Sequence, residues 1–429
     1  MSTRTFKFEA LSRVEGEGSV TLKTREGELA GVQLRIFEPP RFFEAFLVDR
    51  SHDEVPDITS RICGICPIAY QTSSATAFES LFGIRLDPMV RELRRLIYAG
   101  EWIESHALHV HMLHAPDFLG YEDAVKMAAG EPEAVKRGLR MKKVGNAIMT
   151  LVGGREIHPI NIRVGGFYAA PTKDALLTLR DSLQAALDDA VLSARWVSGF
   201  DFPDFDPVTE YVSMRNGTEY PIFEGRLVST DGLDIALSEF GEHFQEFQEQ
   251  HAHALHCTHV GFGPYQVGPL ARYNLNRQLL TPVARQIADE LKLGERVTNP
   301  FKSILVRAVE TIYAIEESLR IIDGYEQPSK PCAEYRPVAG VAHGCSEAPR
   351  GMCYHRYEVT ASGMIAKAQI VPPTSQNQAR IERDLREWIP GILHLPEDKL
   401  RWKVEQAVRN YDPCISCATH FLRLKIEEV

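Results

Sequence analysis

Two Cys-x-x-Cys motifs, one near each end of the chain, constrain this sequence more than any other feature. Cys63 and Cys66 stand in Arg61-Ile62-Cys63-Gly64-Ile65-Cys66-Pro67, and Cys414 and Cys417 in Asp412-Pro413-Cys414-Ile415-Ser416-Cys417-Ala418-Thr419-His420. A pair at this spacing, set at a turn or helix start, aims two sulfurs at one point, so two pairs can give one soft metal four thiolates. Structural zinc, an iron-sulfur cluster, thiol-disulfide exchange and a catalytic metal all use such pairs. Structural zinc closes compact modules whose pairs lie roughly 15 to 20 residues apart, whereas nearly the whole chain separates these. Thiol exchange needs one pair beside a strand-helix-strand unit, and the pattern offers none. A four-sulfur catalytic centre inside a helical body is what is left, so the fold has to bring the two ends together.

Composition limits the remaining classes. With 44% hydrophobic and 25% charged residues, the 429-residue chain reads as globular and long enough to bury a large core. A formal net charge of -10 speaks against nucleic-acid binding, which needs a basic face. No apolar run reaches the ~18 residues of a membrane helix, and Met1 to Phe8 has no signal-like apolar core, so a cytoplasmic protein is expected. The other four cysteines, Cys257, Cys332, Cys345 and Cys353, read as buried small hydrophobes.

Hydrophobic periodicity places the motifs. Residues 1 to 40 read as three strands around a Glu26-Gly27 turn, and Phe42 to Val48 as a short helix. The first Cys pair falls at a helix start, where free amides favour anionic sulfur. Helices are expected after Pro88 and over 172–196, 237–249, 276–291, 301–322 and 376–388. Strands are expected at Glu210 to Met214, Tyr220 to Val228, Arg356 to Thr360 and Gly363 to Val371, and long loops over 151–171 and 328–351. The fold class is therefore α+β and mainly α: a bundle of long helices with β-rich N-terminal and peripheral segments. No repeat or linker is visible, so residues 1–420 are expected to form one domain. The histidine-rich pieces His106 to His114 and His251 to His259 read as core histidines rather than metal ligands.

The two Cys motifs resemble the first and last signatures of the nickel-iron hydrogenase large subunit. Further matches run in order along almost the entire chain: Arg13-Val14-Glu15-Gly16, Arg41-Phe42-Phe43-Glu44, His114-Ala115-Pro116-Asp117, Gly153-Gly154-Arg155 with His158-Pro159, Glu347-Ala348-Pro349-Arg350-Gly351 and Val371-Pro372-Pro373-Thr374. The resemblance implies that fold and a reversible hydrogenase activity in which dihydrogen is split heterolytically. It implies that Cys63 and Cys414 are terminal nickel ligands, and that Cys66 and Cys417 bridge to an iron carrying one carbon monoxide and two cyanides. It makes Glu15 the first proton relay from Cys414, with Glu17 a rival that spacing alone does not reject. It sets Arg350 over the metals, held by Asp117 and Asp412. Pro373 and Thr374 become donors around a cyanide, although Thr374 read by itself is equally a helix N-cap. Glu44, the Ile370 carbonyl and His420 become ligands of a hard ion, usually magnesium.

Two departures matter. Where many members carry a histidine near a bridging sulfur, this chain has Tyr70, which donates a hydrogen bond but carries no positive charge. Nine residues, Phe421 to Val429, follow His420, and the resemblance implies their removal by a maturation protease acting after His420. The forms of both Cys motifs look most like the cytosolic, multisubunit, NAD(P)-linked branch, some members of which also reduce sulfur. The chain has no glycine-rich dinucleotide fingerprint and no further clustered cysteines. NAD(P), flavin and iron-sulfur clusters are thus expected on partners: an iron-sulfur small subunit and diaphorase subunits. The competing class is a non-catalytic electron-transfer or structural subunit on the same fold, against which the four cysteines argue.

Overall fold

The computed structural model describes residues 3–419, so His420 and the segment 421–429 lie outside it. The N-terminal expectation is met. Strands Thr3–Phe8, Gly18–Arg25 and Glu28–Ile36 form an antiparallel sheet in sequence order. Glu26 and Gly27 both have positive φ, 55° and 89°, as the two central residues of a tight hairpin turn require. Alternation puts Phe6, Phe8, Val20, Leu22, Val32 and Leu34 on one face, packed on Ile381, Leu385, Leu400 and Val404.

The body of the molecule is helical. Helix Pro67–Phe82 follows the first Cys pair, with Cys66 as its N-cap and Pro67 at its first position. Helix Pro88–Leu108 runs on through a π-helical turn, His109–His114, into Ala115–Leu119. Against it lie Ser303–Gly324 and Pro132–Gly153. The last of these escaped the sequence reading, although it has proline at its first turn and Gly154 in the left-handed region after its end. Its many lysines and arginines dilute the apolar period. Close helix approach needs small residues here: a Cβ on Gly145 would stand 2.6 Å from the Gly100 carbonyl oxygen and 2.7 Å from the Glu104 amide nitrogen.

Three sequence expectations fail for identifiable reasons. The expected helix over 237–249 ends at His243, and Phe244–Gln248 is a strand paired with Leu255–His259. The aromatic pair Phe244 and Phe247 suits a pleated surface. The helix expected over 276–291 starts only at Pro282 and runs to Glu290, because Pro282 lacks the amide that would join it to the preceding helix Pro269–Asn276. The loop expected over 328–351 contains strand Gly340–Ala348, which pairs with Gly351–Val359 and through it with Ile365–Val371. That strand is buried along its second half and rich in small and polar residues, so no alternation marks it. Among the described residues no helix is long and apolar enough to cross a membrane.

The helix crossing gives a test. Gly145→Ala should destabilise by about 1–3 kcal/mol through overpacking, read as a lower denaturant midpoint. Gly31→Ala, whose Cβ would meet nothing within 4 Å, should change the unfolding free energy by no more than about 0.5 kcal/mol. Equal effects would contradict the packing account.

Candidate metal centre

The fold brings the chain ends together. Cys63 Sγ lies 3.5 Å from Cys414 Sγ, and Cys66 Sγ 3.7 Å from Cys417 Sγ. All four sulfurs lie within 4.8 Å of one another, all are buried, and none is in a disulfide. Sulfurs bound at about 2.3 Å to one tetrahedral ion stand roughly 3.8 Å apart, so the spacing fits a shared soft metal. Ionisation fits as well. Hydrogen bonding from Cys414, Cys417 and Cys66 holds Cys63 well below an ordinary thiol, while burial and then hydrogen bonding with Cys417, Cys63 and Cys66 push Cys414 well up. Ionising all four buried sulfurs calls for a cation to balance them.

Each pair is fixed by its backbone. The amides of Ile65 and Cys66 donate to Cys63 Sγ at 3.3 and 3.4 Å. Glu101, from helix Pro88–Leu108, accepts the next two amides, Ile68 at 2.6 Å and Ala69 at 3.2 Å. At the other end Asp412 takes a left-handed φ of 50°, and the Cys414 amide donates to Thr374 Oγ1 at 2.9 Å. Thr374 is thus not a helix cap: Pro372 occupies that position, and helix Pro373–Trp388 presents Thr374 in its first turn to the cysteine.

Glu15 is the carboxylate at the sulfurs. The Cys414 thiol donates to Glu15 Oε2 at 3.1 Å, the Ser416 amide donates to the same oxygen at 3.0 Å, and the Ile415 amide donates to the Glu15 carbonyl at 2.9 Å. Glu17 is exposed, whereas Glu15 reaches the Cys414 sulfur. Gly16 must be glycine: its φ is 88°, and a Cβ there would stand 2.7 Å from Glu38 Oε2 and 2.8 Å from Ile415 Cβ. Glu38 in turn accepts the Ser416 hydroxyl at 3.0 Å.

Arg350 occupies the tight turn between Gly340–Ala348 and Gly351–Val359. It donates through Nε to the Asp412 carbonyl oxygen at 2.7 Å and pairs with the Asp412 carboxylate at 3.1 Å. Its Nη1 is buried with no hydrogen-bond partner among the described residues. Burial works against its charge, but Asp412 and then the sulfurs of Cys414, Cys66 and Cys63 hold its pKa well above the ordinary value. A cation with a spare donor beside the sulfurs suits anionic ligands on a bound metal. The turn itself is anchored by Arg272, which donates to the Ala348 carbonyl oxygen at 2.8 Å and forms buried ion pairs with Glu310 and Glu347 at 2.7 and 3.1 Å.

Asp117 corrects one expectation. It does not hold Arg350; its carboxylate pairs with Arg13 at 2.6 Å and Arg409 at 2.7 Å and accepts from His114 at 3.1 Å. Burial pushes its pKa up, but His114 and Arg409 outweigh this and keep it below the usual carboxylate range. Asp117 thereby joins the Arg13-Val14-Glu15-Gly16 segment to the helix leading into the second Cys pair. Tyr70 is buried, its hydroxyl without a hydrogen-bond partner among the described residues; burial and then the charge of Cys417 raise its pKa. Glu44 and Ile370 meet, the Ile370 amide donating to Glu44 Oε1 at 2.7 Å, while the third residue of that expected ion site, His420, lies outside the described residues. His106, His109 and His114 have ordinary core partners in Glu310, the Arg409 carbonyl and Asn410.

Sequence reasoning missed Arg41 as a site residue, although it stood in a quoted motif. Arg41 donates to the Ile62 carbonyl oxygen at 2.8 Å and to the Ser416 carbonyl oxygen, tying the two Cys segments together. Glu101 and Arg272 were missed too, since a single charge inside an apolar helix stripe was the only signal.

The Asp412 contact is testable by its effect on stability. Asp412→Asn keeps a residue that tolerates the left-handed backbone but leaves Arg350 uncompensated, and should cost about 3–5 kcal/mol. Chemical denaturation reads the loss; a change below about 1 kcal/mol would contradict a buried pair.

Comparison with known proteins agrees with this geometry. Residues 41–138 match the family model described as nickel-dependent hydrogenase. Sulfhydrogenase 1 subunit alpha of Pyrococcus furiosus is 31% identical over 421 residues, covering 97% of this chain and 98% of the relative. The NAD-reducing hydrogenase HoxS subunit beta of Cupriavidus necator is 26% identical over 468 residues, covering 98% and 95%. The crystal structure of an NAD+-reducing [NiFe]-hydrogenase in the H2-reduced state superposes with a TM-score of 0.88 at 25% identity, covering 98% of this chain and all of that one. With four buried cysteines converged from both ends and a relative above 30% identity along nearly its full length, the chain belongs to the nickel-dependent hydrogenase family.

Proposed function

We propose that this chain is the catalytic subunit of a reversible hydrogenase whose electrons pass through an iron-sulfur small subunit to NAD(P) on diaphorase subunits. The observation that carries the reading is the buried four-sulfur cluster with Glu15 hydrogen-bonded to one of its members. The NAD-reducing and sulfhydrogenase relatives support the coupling and leave sulfur reduction as a side activity to be tested. We assign the cluster a nickel-iron centre, which Cys63, Cys66, Cys414 and Cys417 would hold through their four sulfurs and whose iron would carry carbon monoxide and cyanide ligands. When bound, that centre supplies the heterolytic cleavage of dihydrogen.

The chain's own groups do the rest. Cys414 Sγ holds a proton that Glu15 Oε2, 3.1 Å away, is placed to accept. Glu38, which accepts the Ser416 hydroxyl, is a second carboxylate beside the same turn. Arg350 Nη1 and the Thr374 hydroxyl supply donors for anionic ligands, Pro373 shapes that wall, Tyr70 faces the Cys417 side, and Asp412 and Asp117 fix the surrounding cations. Burial of the sulfurs excludes water from the reacting atoms. Glu44, the Ile370 carbonyl and His420 form the magnesium site in this reading. The catalytic unit is residues 1–420 as one domain, located in the cytoplasm, and residues 421–429 are a maturation tail.

Glu15→Gln keeps an acceptor for the Ser416 amide but holds no exchangeable acid proton. Hydrogen turnover should fall by about 10²-fold or more, with nickel and iron content unchanged by elemental analysis; unchanged turnover would contradict the relay. The intact mass of active enzyme should end at His420, and a mass that retains Val429 would overturn the tail assignment.

A further inference from the structure

Two histidines and a glutamate outside the four-sulfur centre converge on one point. His251 lies in the turn between strands Phe244–Gln248 and Leu255–His259, His256 lies in the second strand, and Glu382 lies on helix Pro373–Trp388. His251 Nε2 is 2.7 Å from Glu382 Oε1, and His256 Nε2 is 3.9 Å from the same oxygen. One ligand atom from each of the three lies within 4.8 Å of the others. His256 is 1% exposed, and neither of its ring nitrogens has a hydrogen-bond partner among the described residues. Its ring is held instead by Phe247 and His251, with centroids 5.5 and 5.7 Å away. A buried imidazole normally satisfies both nitrogens. Here Nε2 faces a carboxylate without reaching it.

We propose that His251, His256 and Glu382 form a second metal site, which takes a divalent cation of zinc-like softness. Two imidazoles and one carboxylate are a three-ligand zinc set, with water as the fourth ligand. Ligand atoms around a tetrahedral zinc stand about 3.3 Å apart. The observed 2.7 and 3.9 Å to Glu382 Oε1 bracket that value, and all three ligand atoms already lie within 4.8 Å of one another. Magnesium is disfavoured because it prefers oxygen ligands. The carboxylate is already oriented, since Glu382 Oε1 also accepts the Leu34 amide at 2.8 Å. Access is from the hairpin side, where the His251 side chain is 13% exposed. Arg386, 3.9 Å from Glu382 Oε2, is the opposing charge; it is 59% exposed and therefore screened by water. The site's function is structural. It ties the hairpin to the helix whose first turn holds Cys414 through Thr374, and to the N-terminal sheet through Leu34.

The test is zinc analysis of the full-length chain in its purified complex, incubated with zinc chloride and desalted. About one zinc per chain is expected at this site, with zinc K-edge absorption showing nitrogen and oxygen neighbours at about 2.0–2.1 Å and imidazole scattering. His251→Ala combined with His256→Gln should lower zinc content at least about tenfold with nickel content unchanged. If that double variant does not fold, His251→Ala alone, in the turn, should weaken zinc binding at least about tenfold. The proposal is overturned by absence of zinc, by zinc content or affinity unchanged in the folded variants, or by a sulfur shell near about 2.3 Å, which would put the zinc on cysteines. Nickel content reports separately on the four-sulfur centre.

Discussion

Four buried sulfurs within 4.8 Å of one another, two pairs of them at 3.5 and 3.7 Å, are the constraint on which the rest of this structure depends. Two thiolates at that distance repel by about 4–5 kcal/mol even at an effective dielectric of about 20. The arrangement is therefore costly as four anions and favourable only when a cation neutralises them, which links metal loading to closure of the chain ends. Arg350 supplies part of the compensation from the protein, and Asp412 keeps that arginine in place.

The supporting interactions are distributed so that each end of the chain is held by the other. Glu15 and Arg41 come from the N-terminal region and grip residues 414 to 416 through backbone and side chain. Asp117 does the same one layer further out, joining Arg13 to Arg409. The middle of the chain contributes Thr374, Arg350 and the Arg272 anchor behind it. A residue far from the metals in sequence can thus decide whether the second Cys pair seats, as Gly16 does by letting Glu38 and Ile415 approach its backbone.

How much of this was readable beforehand depended on whether a residue's role is local or assembled. The three N-terminal strands, the helix capped by Cys66 and the convergence of both Cys pairs follow from alternation, a proline at a helix start and ligand chemistry. Strand Gly340–Ala348 did not, because a strand buried on both faces among small and polar residues has no period to read. Helix Pro132–Gly153 was hidden by its charged face. Asp117 was expected beside Arg350, but three neighbouring cationic or hydrogen-bonding groups, Arg13, Arg409 and His114, claim its oxygens, and only the folded chain brings them together. The histidines at 251 and 256 read as ordinary core because their partner, Glu382, is far along the sequence.

Nickel K-edge X-ray absorption on the purified complex tests the central claim most directly, because it reports what surrounds the metal. About one nickel per chain is expected, with a protein shell dominated by sulfur from Cys63, Cys66, Cys414 and Cys417. A nickel shell of nitrogen and oxygen, or zinc in place of nickel on those sulfurs, would contradict it.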